Sequence, residues 1–153
     1  MELSNEFEVA ASPDRTWALI NDVPRVTPCM PGAELTRVVD DNNWEAALHV
    51  KLGPISVHFV ADVTRDEVDE AARRVRLKVK AREAKHRGSA DATITSTVTP
   101  AGDGSRVGIV TELTLKGVVA QFGRPVVPAV AEKLTVAFAA CLQRQLADES
   151  PAG

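Results

Sequence analysis

The segment from Pro125 to Ala147 constrains the fold more than any other part of the chain, because it predicts one long amphipathic helix. Its apolar residues recur at steps of three and four, which is the spacing of one helical face. They are Val127, Val130, Leu134, Phe138 and Cys141. Pro128 falls in the first turn, as does Pro125, and a missing N–H costs little there. Such a helix would be about 35 Å long, and its apolar face needs a partner surface.

Between Ala33 and Gly117 the pattern is different, since apolar and polar residues alternate. This period of two is typical of half-buried β-strands. Strands are predicted over residues 34–39, 44–52, 55–63, 74–82, 88–99 and 107–115, with a polar turn over 66–72. One more strand is predicted over residues 3–10, where the odd-numbered residues from Leu3 to Val9 share a face.

The strands over 44–52 and 55–63 are predicted to form a hairpin around Gly53 and Pro54. Glycine accepts the positive φ of a two-residue turn, and proline suits the position after it. The turn sets the register, which pairs Val50 with Val57, Leu48 with Phe59 and His49 with His58. The apolar pairs then share one face, so the turn and the pattern agree. The histidines lie on the other face, and without a third ligand beside them no metal site is predicted.

Two short helices are predicted between the first strand and the rest of the sheet. Ser12 can cap the first, with Pro13 at its first position, and prolines make the second, over residues 23–30, irregular. A half-buried sheet needs a cover for its apolar face, and only the C-terminal helix is long enough. The sequence therefore predicts one α+β domain over residues 1–149 with about seven antiparallel strands, followed by a disordered end over 150–153.

Composition excludes several classes of function. The net charge is −3 and aromatic residues make up 4% of the chain, which argues against binding to nucleic acid. No signal peptide and no membrane-spanning run is visible, so we expect a cytoplasmic protein. Cys29 and Cys141 match no metal or redox spacing, and we expect two buried free thiols. No catalytic residue is predicted, because no spacing suggests a catalytic triad or a phosphate-binding loop.

The inner face of the predicted sheet carries mostly small apolar residues, and large aromatic residues are few. A wide curved sheet with such a face leaves a cavity under the long helix, and apolar walls favour an apolar ligand. Only Asn5, Ser96 and Thr111 would offer polar groups there, which favours binding over catalysis. The residues expected to contact the ligand are Met30, Leu48, Phe59, Leu113, Phe122, Val127, Val130 and Leu134.

Two segments could open the cavity. One is the proline-rich run between the short helices and the sheet, and the other is the glycine-flanked run before the long helix. The expected portal residues are Pro28, Pro31, Gly32, Gly117, Gln121 and Gly123. The alternatives are a rigid connector for the first segment and a plain linker into the helix for the second.

A basic stripe follows the outer face of the strand over residues 74–82. It consists of Arg74, Arg76, Lys78, Lys80 and Arg82. In one interpretation the stripe is an ordinary solvated face, neutralised by Asp62, Asp91 and Glu112 on the neighbouring strands. In the other it is a patch for an acidic partner enzyme or for anionic lipid.

Five short motifs together resemble one protein family. They lie at Ser12–Trp17, Asn21–Val23, Pro28–Ala33, Val50–Pro54 and Leu115–Gly123. In this combination they are similar to the CoxG family of carbon monoxide dehydrogenase subunits, a branch of the START-like (SRPBCC) superfamily. The likeness runs from Phe7 to about Leu146, and it implies the helix-grip fold, in which a curved sheet wraps around the C-terminal helix.

The resemblance also implies a function. Members of the CoxG family are accessory proteins of aerobic molybdenum hydroxylases, above all CO dehydrogenase, rather than enzymes. They are linked to recruitment of that enzyme to the cytoplasmic membrane, and their cavity is implicated in holding a quinone. We therefore expect a non-catalytic chain without a covalent cofactor, whose ligand is a quinone or a lipid. A docking module with a solid core remains an alternative, as does a small lyase or hydrolase.

Overall fold

The alternating segments form one antiparallel sheet in the computed structural model, which describes residues 1–148. The strands are β1 (Glu2–Val9), β2 (Ala33–Asp40), β3 (Asn43–Leu52), β4 (Ile55–Asp69), β5 (Arg74–Glu83), β6 (Ser89–Ala101) and β7 (Gly104–Lys116). Their spatial order is β1-β7-β6-β5-β4-β3-β2, so every neighbour apart from β1 and β7 is also consecutive in sequence. The predicted seven-stranded α+β architecture is confirmed.

The β3–β4 hairpin has the predicted register. Val50 pairs with Val57, Leu48 with Phe59 and His49 with His58. Gly53 adopts a φ of +61°, the positive value that the two-residue turn requires. β4 runs further than predicted, to Asp69, and the polar turn is correspondingly shorter. A bulge between Arg65 and Glu67 accommodates the extra length.

Two α-helices and a short 3₁₀ turn follow β1. Helix α1 (Pro13–Ile20) begins as predicted, because the Ser12 side chain accepts a hydrogen bond from the Arg15 backbone N–H at 3.3 Å. Helix α2 (Val23–Val26) continues directly into a 3₁₀ turn (Thr27–Cys29). Two further helices close the described part of the chain, α3 (Val118–Gly123) and α4 (Val127–Asp148). The predicted linker over residues 117–123 is therefore wrong, since most of it is helical.

The second half of the long helix α4 packs against β1 at one edge of the sheet. The rings of Phe7 and Phe138 meet edge to face with centroids 6.2 Å apart. Closer to the end of the helix, the Gln143 side chain accepts a hydrogen bond from the Ala10 backbone N–H at 2.7 Å. The helix begins at Val127, two residues later than predicted, and the predicted disordered end over 150–153 lies outside the described residues.

The cysteines correct a second expectation. Cys29 in the 3₁₀ turn and Cys141 in α4 form a disulfide, with their Cα atoms 5.3 Å apart. Helix α4 packs against the 3₁₀ turn, which brings the two residues within the distance that a disulfide spans. The prediction of two free thiols is wrong, because it relied on sequence spacing alone, and spacing says nothing about contacts made by packing.

Candidate functional site

The apolar core of residues 1–148 is divided into clusters instead of forming one continuous body. The largest joins α1 and the second half of α4 to the sheet, with Leu142 and Leu146 almost fully buried. Another lies around the β3–β4 turn, where Leu52, Phe59 and Val119 are buried. A main core with smaller satellite clusters is the usual pattern for a domain of this size. The inner face of the sheet is therefore best described by how fully each of its residues is covered.

Residues near the middle of the central strands are only partly covered. Val79 pairs with Ala92 and Ile94 with Thr111, which places these four side chains on the inner face. All four are only half-buried, as is Leu134 on α4. The two ends of this face are covered, by α1 and the second half of α4 at one end and by α3 and the start of α4 at the other. We call the partly covered middle of the inner face, beneath α4, the interior cleft.

Six of the eight predicted ligand-contacting residues lie near one another. Leu48, Phe59 and Val130 meet in the cluster around the β3–β4 turn, and Leu113 and Val127 pack together beside β7. Ala90 contacts both clusters, so these five residues border one end of the interior cleft. Leu134 lies further along α4 and is half-buried. These six residues are compatible with one apolar binding surface.

The remaining two predicted contacts lie elsewhere. Met30 packs against the largest cluster near Cys29, at the opposite end of the interior cleft. Phe122 is 38% exposed on α3, and its side chain is on the outside of the protein. The helical conformation of residues 118–123 explains this placement, because Val119 and Ala120 take the buried positions of that helix.

The three polar residues predicted on the inner face all lie there. Asn5 and Ser96 flank Ile109 from the two neighbouring strands, and Thr111 is two residues further along the same strand. Each is half-buried, and within residues 1–148 none of their side chains forms a hydrogen bond. Half-buried polar groups without partners can bind a ligand oxygen at little desolvation cost.

The two predicted portal segments are held in different ways. In the first, the disulfide of Cys29 ties the segment between Pro28 and Pro31 to α4. Gly32 packs so closely on β3 that a Cβ would lie 2.2 Å from the His49 carbonyl oxygen. These contacts favour the rigid connector over a mobile gate for this segment.

The second segment carries α3. Gly117 precedes the helix with a φ of +78°, and Gly123 at its end packs against Leu115 and Leu52. Gln121 is exposed on its outer side. The six-residue helix is attached to the β5–β6 turn, because the Val119 backbone N–H donates to the Arg87 carbonyl oxygen at 2.9 Å. Of the two segments, this one has the weaker ties to the rest of the fold.

A buried ion pair that sequence analysis missed lies beneath this end of the protein. The Glu83 side chain is fully buried, and Arg87 donates to it at 2.7 Å. This hydrogen bond lowers the pKa of the Glu83 carboxyl from 4.5 to about 2. Arg87 also donates to the Ser56 carbonyl oxygen at 2.9 Å, so the pair joins the β5–β6 turn to β4. The sequence shows that Glu83 and Arg87 are four residues apart, a spacing that allows an ion pair, but it does not show that the Glu83 side chain is buried.

The basic stripe is partly neutralised, although not by the predicted acids. Arg74 pairs with Asp69 at 3.3 Å, and Arg76 pairs with both Asp66 and Glu67. Lys78 shares Asp66 at 3.3 Å. Of the predicted acids, Asp62 and Asp91 flank Lys80 in the register, whereas Glu112 lies opposite Thr93 and makes no ion pair within residues 1–148.

Lys80 and Arg82 form no ion pair with any described residue. The stripe is thus paired at the end near the β4–β5 turn and unpaired towards the β5–β6 turn.

The outer histidine pair is confirmed in position. The rings of His49 and His58 stack with centroids 3.9 Å apart and planes inclined by 29°. Within the described part of the chain, no group of three or more His, Cys, Asp or Glu side chains is placed to hold a metal ion.

Comparison with known proteins identifies the family. The family model for CoxG, described as a subunit of carbon monoxide dehydrogenase, matches residues 6–147. The chain belongs to the CoxG family. A comparison with curated protein sequences finds no match. No helix within residues 1–148 of this CoxG-family chain is long and apolar enough to cross a membrane.

Solved structures confirm the helix-grip fold of this CoxG-family protein. A conserved protein from Geobacillus kaustophilus is similar at a TM-score of 0.84, with 17% identity over 97% of this chain and 96% of that one. ZhuI aromatase/cyclase from Streptomyces sp. R1128 has a TM-score of 0.70 and 14% identity, covering 99% and 96%. Norcoclaurine synthase from Thalictrum flavum has a TM-score of 0.65 and 19% identity, covering 97% and 87%. At these identities the likeness concerns the fold alone.

Proposed function

We propose that this protein is a non-catalytic accessory protein of a CO dehydrogenase-type molybdenum hydroxylase, and that it holds a quinone or a lipid in the interior cleft. The observation that carries the proposal is the half-buried apolar inner face beneath α4, where Val79, Ala92, Ile94 and Leu134 have no complete cover. Membership of the CoxG family supplies the partner class. The protein would act in the cytoplasm, where it would bring the enzyme to the inner face of the cell membrane.

Burial of the ligand would supply the affinity. An apolar contact of ~300 Å² at ~25 cal/mol per Å² is worth several kcal/mol before ordering costs. Asn5, Ser96 and Thr111 would add hydrogen bonds to a polar head group, since their side chains are free to donate. A quinone or a lipid with one oxygen-bearing end and an apolar tail fits a surface of this composition.

A catalytic role has less support. Two of the similar structures are a cyclase and a synthase, yet the polar groups of the interior cleft are an amide and two hydroxyls. Glu83, the buried acid nearest this region, is ionised and paired with Arg87, so it is poorly suited to act as a general acid or base near neutral pH.

A substitution on α4 tests the ligand site. Leu134→Trp would fill the interior cleft, and we expect it to lower the affinity for menadione, a soluble quinone, at least tenfold in calorimetric titration. Val136→Trp is the matched control, because Val136 is 67% exposed on the outer side of the same helix. Equal affinity of both variants and the native protein would contradict the proposal, as would native protein that does not bind the quinone.

A further inference from the structure

Three chain segments meet at one end of the molecule and form what we call the basic end. They are the β3–β4 turn, the β5–β6 turn and α3 with its flanking residues. Cationic side chains in and beside these segments are Lys51, Arg82, Lys85, Arg87, Lys116 and Arg124. Residues 46–61, 82–90 and 113–131 contain a single acidic residue, Glu83, and it is buried. A chain with net charge −3 therefore presents one strongly positive end.

Direct contacts show that the three segments are adjacent. Helix α3 is hydrogen-bonded to the β5–β6 turn through Val119 and Arg87, and a Cβ on Gly117 would lie 2.8 Å from the Gly88 Cα. On its other side, α3 approaches the β3–β4 turn, since a Cβ on Gly53 would lie 3.9 Å from the Phe122 carbonyl oxygen. The two turns that carry most of these cations thus flank α3.

The charges of the basic end are available to a partner. Within residues 1–148, Lys51, Lys85, Lys116 and Arg124 form no ion pair, whereas the acids Asp66, Glu67 and Asp69 neutralise the stripe at the opposite end of β5. Only Arg87 is paired here, with the buried Glu83. Uncompensated charges this close together favour an anionic partner surface.

Helix α3 adds exposed apolar side chains to this positive surface. Val118 is 40% exposed and Phe122 is 38% exposed, both on the outer side of the helix. Lys116 precedes them and Arg124 follows them in the chain. Apolar side chains flanked by cations on a surface helix are typical of segments that lie in the interface of a lipid bilayer.

A cleft between the β3–β4 hairpin and the β5–β6 turn has cationic side chains that can receive a lipid head group. Its volume is about 440 Å³, and its lining includes the stacked His49 and His58 together with Lys51 and Lys85. Glu83 and Arg87 also line it, and these two pair with each other. Ser56 adds a hydroxyl. The two unpaired lysine side chains can bind phosphate oxygens through charge-assisted hydrogen bonds.

We propose that the basic end docks onto an anionic bilayer, with Val118 and Phe122 entering the interface and the surrounding cations contacting lipid phosphates. A bilayer accounts for both features, because its interface accepts apolar side chains and its phosphates attract cations. The buried side of α3 belongs to the cluster that borders the interior cleft, through Val119. Docking in this orientation would therefore bring one end of the cleft to the lipid surface.

This inference deepens the proposed function and rests on it only for the idea that the protein works at a membrane. The surface itself is independent of the interior cleft. Vesicles free of quinone therefore test the docking surface alone. A protein that does not bind menadione can still bind these vesicles, and a protein that does not bind the vesicles can still bind menadione. The two failures are thus distinguishable.

Co-sedimentation with phosphatidylcholine vesicles, with and without phosphatidylglycerol, measures the docking. We expect binding to the anionic vesicles only, weakened by salt. Lys51→Gln/Lys116→Gln should lower the partition coefficient about 25-fold, at about fivefold for each lysine. Lys133→Gln/Arg144→Gln is the matched control, because it removes the same charge from exposed positions on α4 and should bind like the native protein.

A second variant tests the apolar part of the surface. Val118→Ser/Phe122→Ser keeps every charge and should weaken vesicle binding about tenfold. Thermal unfolding of each variant shows whether it is folded. Equal binding of the lysine variant and its control would overturn the proposal, and so would native protein that binds poly-glutamate but ignores anionic vesicles, which would indicate an acidic protein as the partner.

Discussion

Cys29 and Cys141 are joined by a disulfide although 112 residues separate them in the sequence. The bond connects the 3₁₀ turn before β2 to the second half of α4, and it lies within the largest apolar cluster. Gln145 on the next turn of α4 supports the same contact, because its side-chain amide donates to the Arg25 carbonyl oxygen at 3.2 Å. The long helix is thus fixed at one end by a covalent bond, while its other end borders the interior cleft.

Removing this bond should lower the free energy of unfolding. A disulfide that closes a loop of about 100 residues limits the unfolded chain, with a typical effect of 2–5 kcal/mol. Cys29→Ser/Cys141→Ser should therefore show a lower midpoint in urea, and a reductant should shift the native protein towards the variant without shifting the variant itself. The bond is absent if the urea midpoint of the native protein does not change with reductant and both of its thiols react with iodoacetamide.

The Glu83–Arg87 pair predicts a specific response to acid. The pKa of Glu83 is lowered from 4.5 to about 2 in the folded protein, so the folded state favours the ionised form. The stabilisation is complete above about pH 4.5 and is lost as the pH falls towards 2. Glu83→Gln should lower the melting temperature at neutral pH and flatten its decline over that acid range.

The control for this prediction is an exposed ion pair. Glu8→Gln breaks the contact between Glu8 and Arg106, whose side chains are 63% and 48% exposed. Exposed pairs contribute little to stability, so this variant should melt like the native protein at neutral pH. If the two glutamine variants have the same melting temperatures across the acid range, the buried pair does not have the stabilising role described here.

The polar residues of the interior cleft should select ligands by their head groups. Thr111→Val preserves the shape of the side chain and removes its hydroxyl, so it should weaken menadione binding about fivefold, the value of one hydrogen bond. Binding of an apolar probe such as naphthalene should be unchanged. Thr93→Val is the control, because Thr93 lies on the outer face of the neighbouring strand β6. Equal loss for both ligands would mean that Thr111 acts only through packing.

Local patterns in the sequence predicted much of the fold. The hairpin around Gly53 and Pro54 was predictable because turn chemistry and alternation specify the same register. The helical spacing likewise predicted α4, apart from its first turn. Features that depend on contacts between distant segments were not predictable in this way. The disulfide is one, and the burial of Glu83 is another.

The acids that neutralise the basic stripe could not be predicted from the alternation of residues along the strands. Strict alternation along β4 and the neighbouring strands pointed to Asp62, Asp91 and Glu112. The bulge between Arg65 and Glu67 breaks that alternation and brings Asp66 and Glu67 together to Arg76. A bulge shifts the register by one residue, which sequence alternation alone does not reveal.

The small inner residues predicted a partly covered inner face, which the structure has, and the binding of a ligand there remains a prediction. Five predicted contacts border one end of the interior cleft, and the roles of these residues remain predictions. The ligand contact predicted for Phe122 also remains a prediction, and the helical conformation of α3 leaves this side chain 38% exposed.

Native mass spectrometry of the purified protein, followed by solvent extraction, tests the central claim most directly. We predict a bound isoprenoid quinone or lipid at close to one molecule per chain, released on extraction and absent from the Leu134→Trp variant. A native protein that carries nothing and does not take up added menaquinone would contradict the account of the interior cleft as a ligand site.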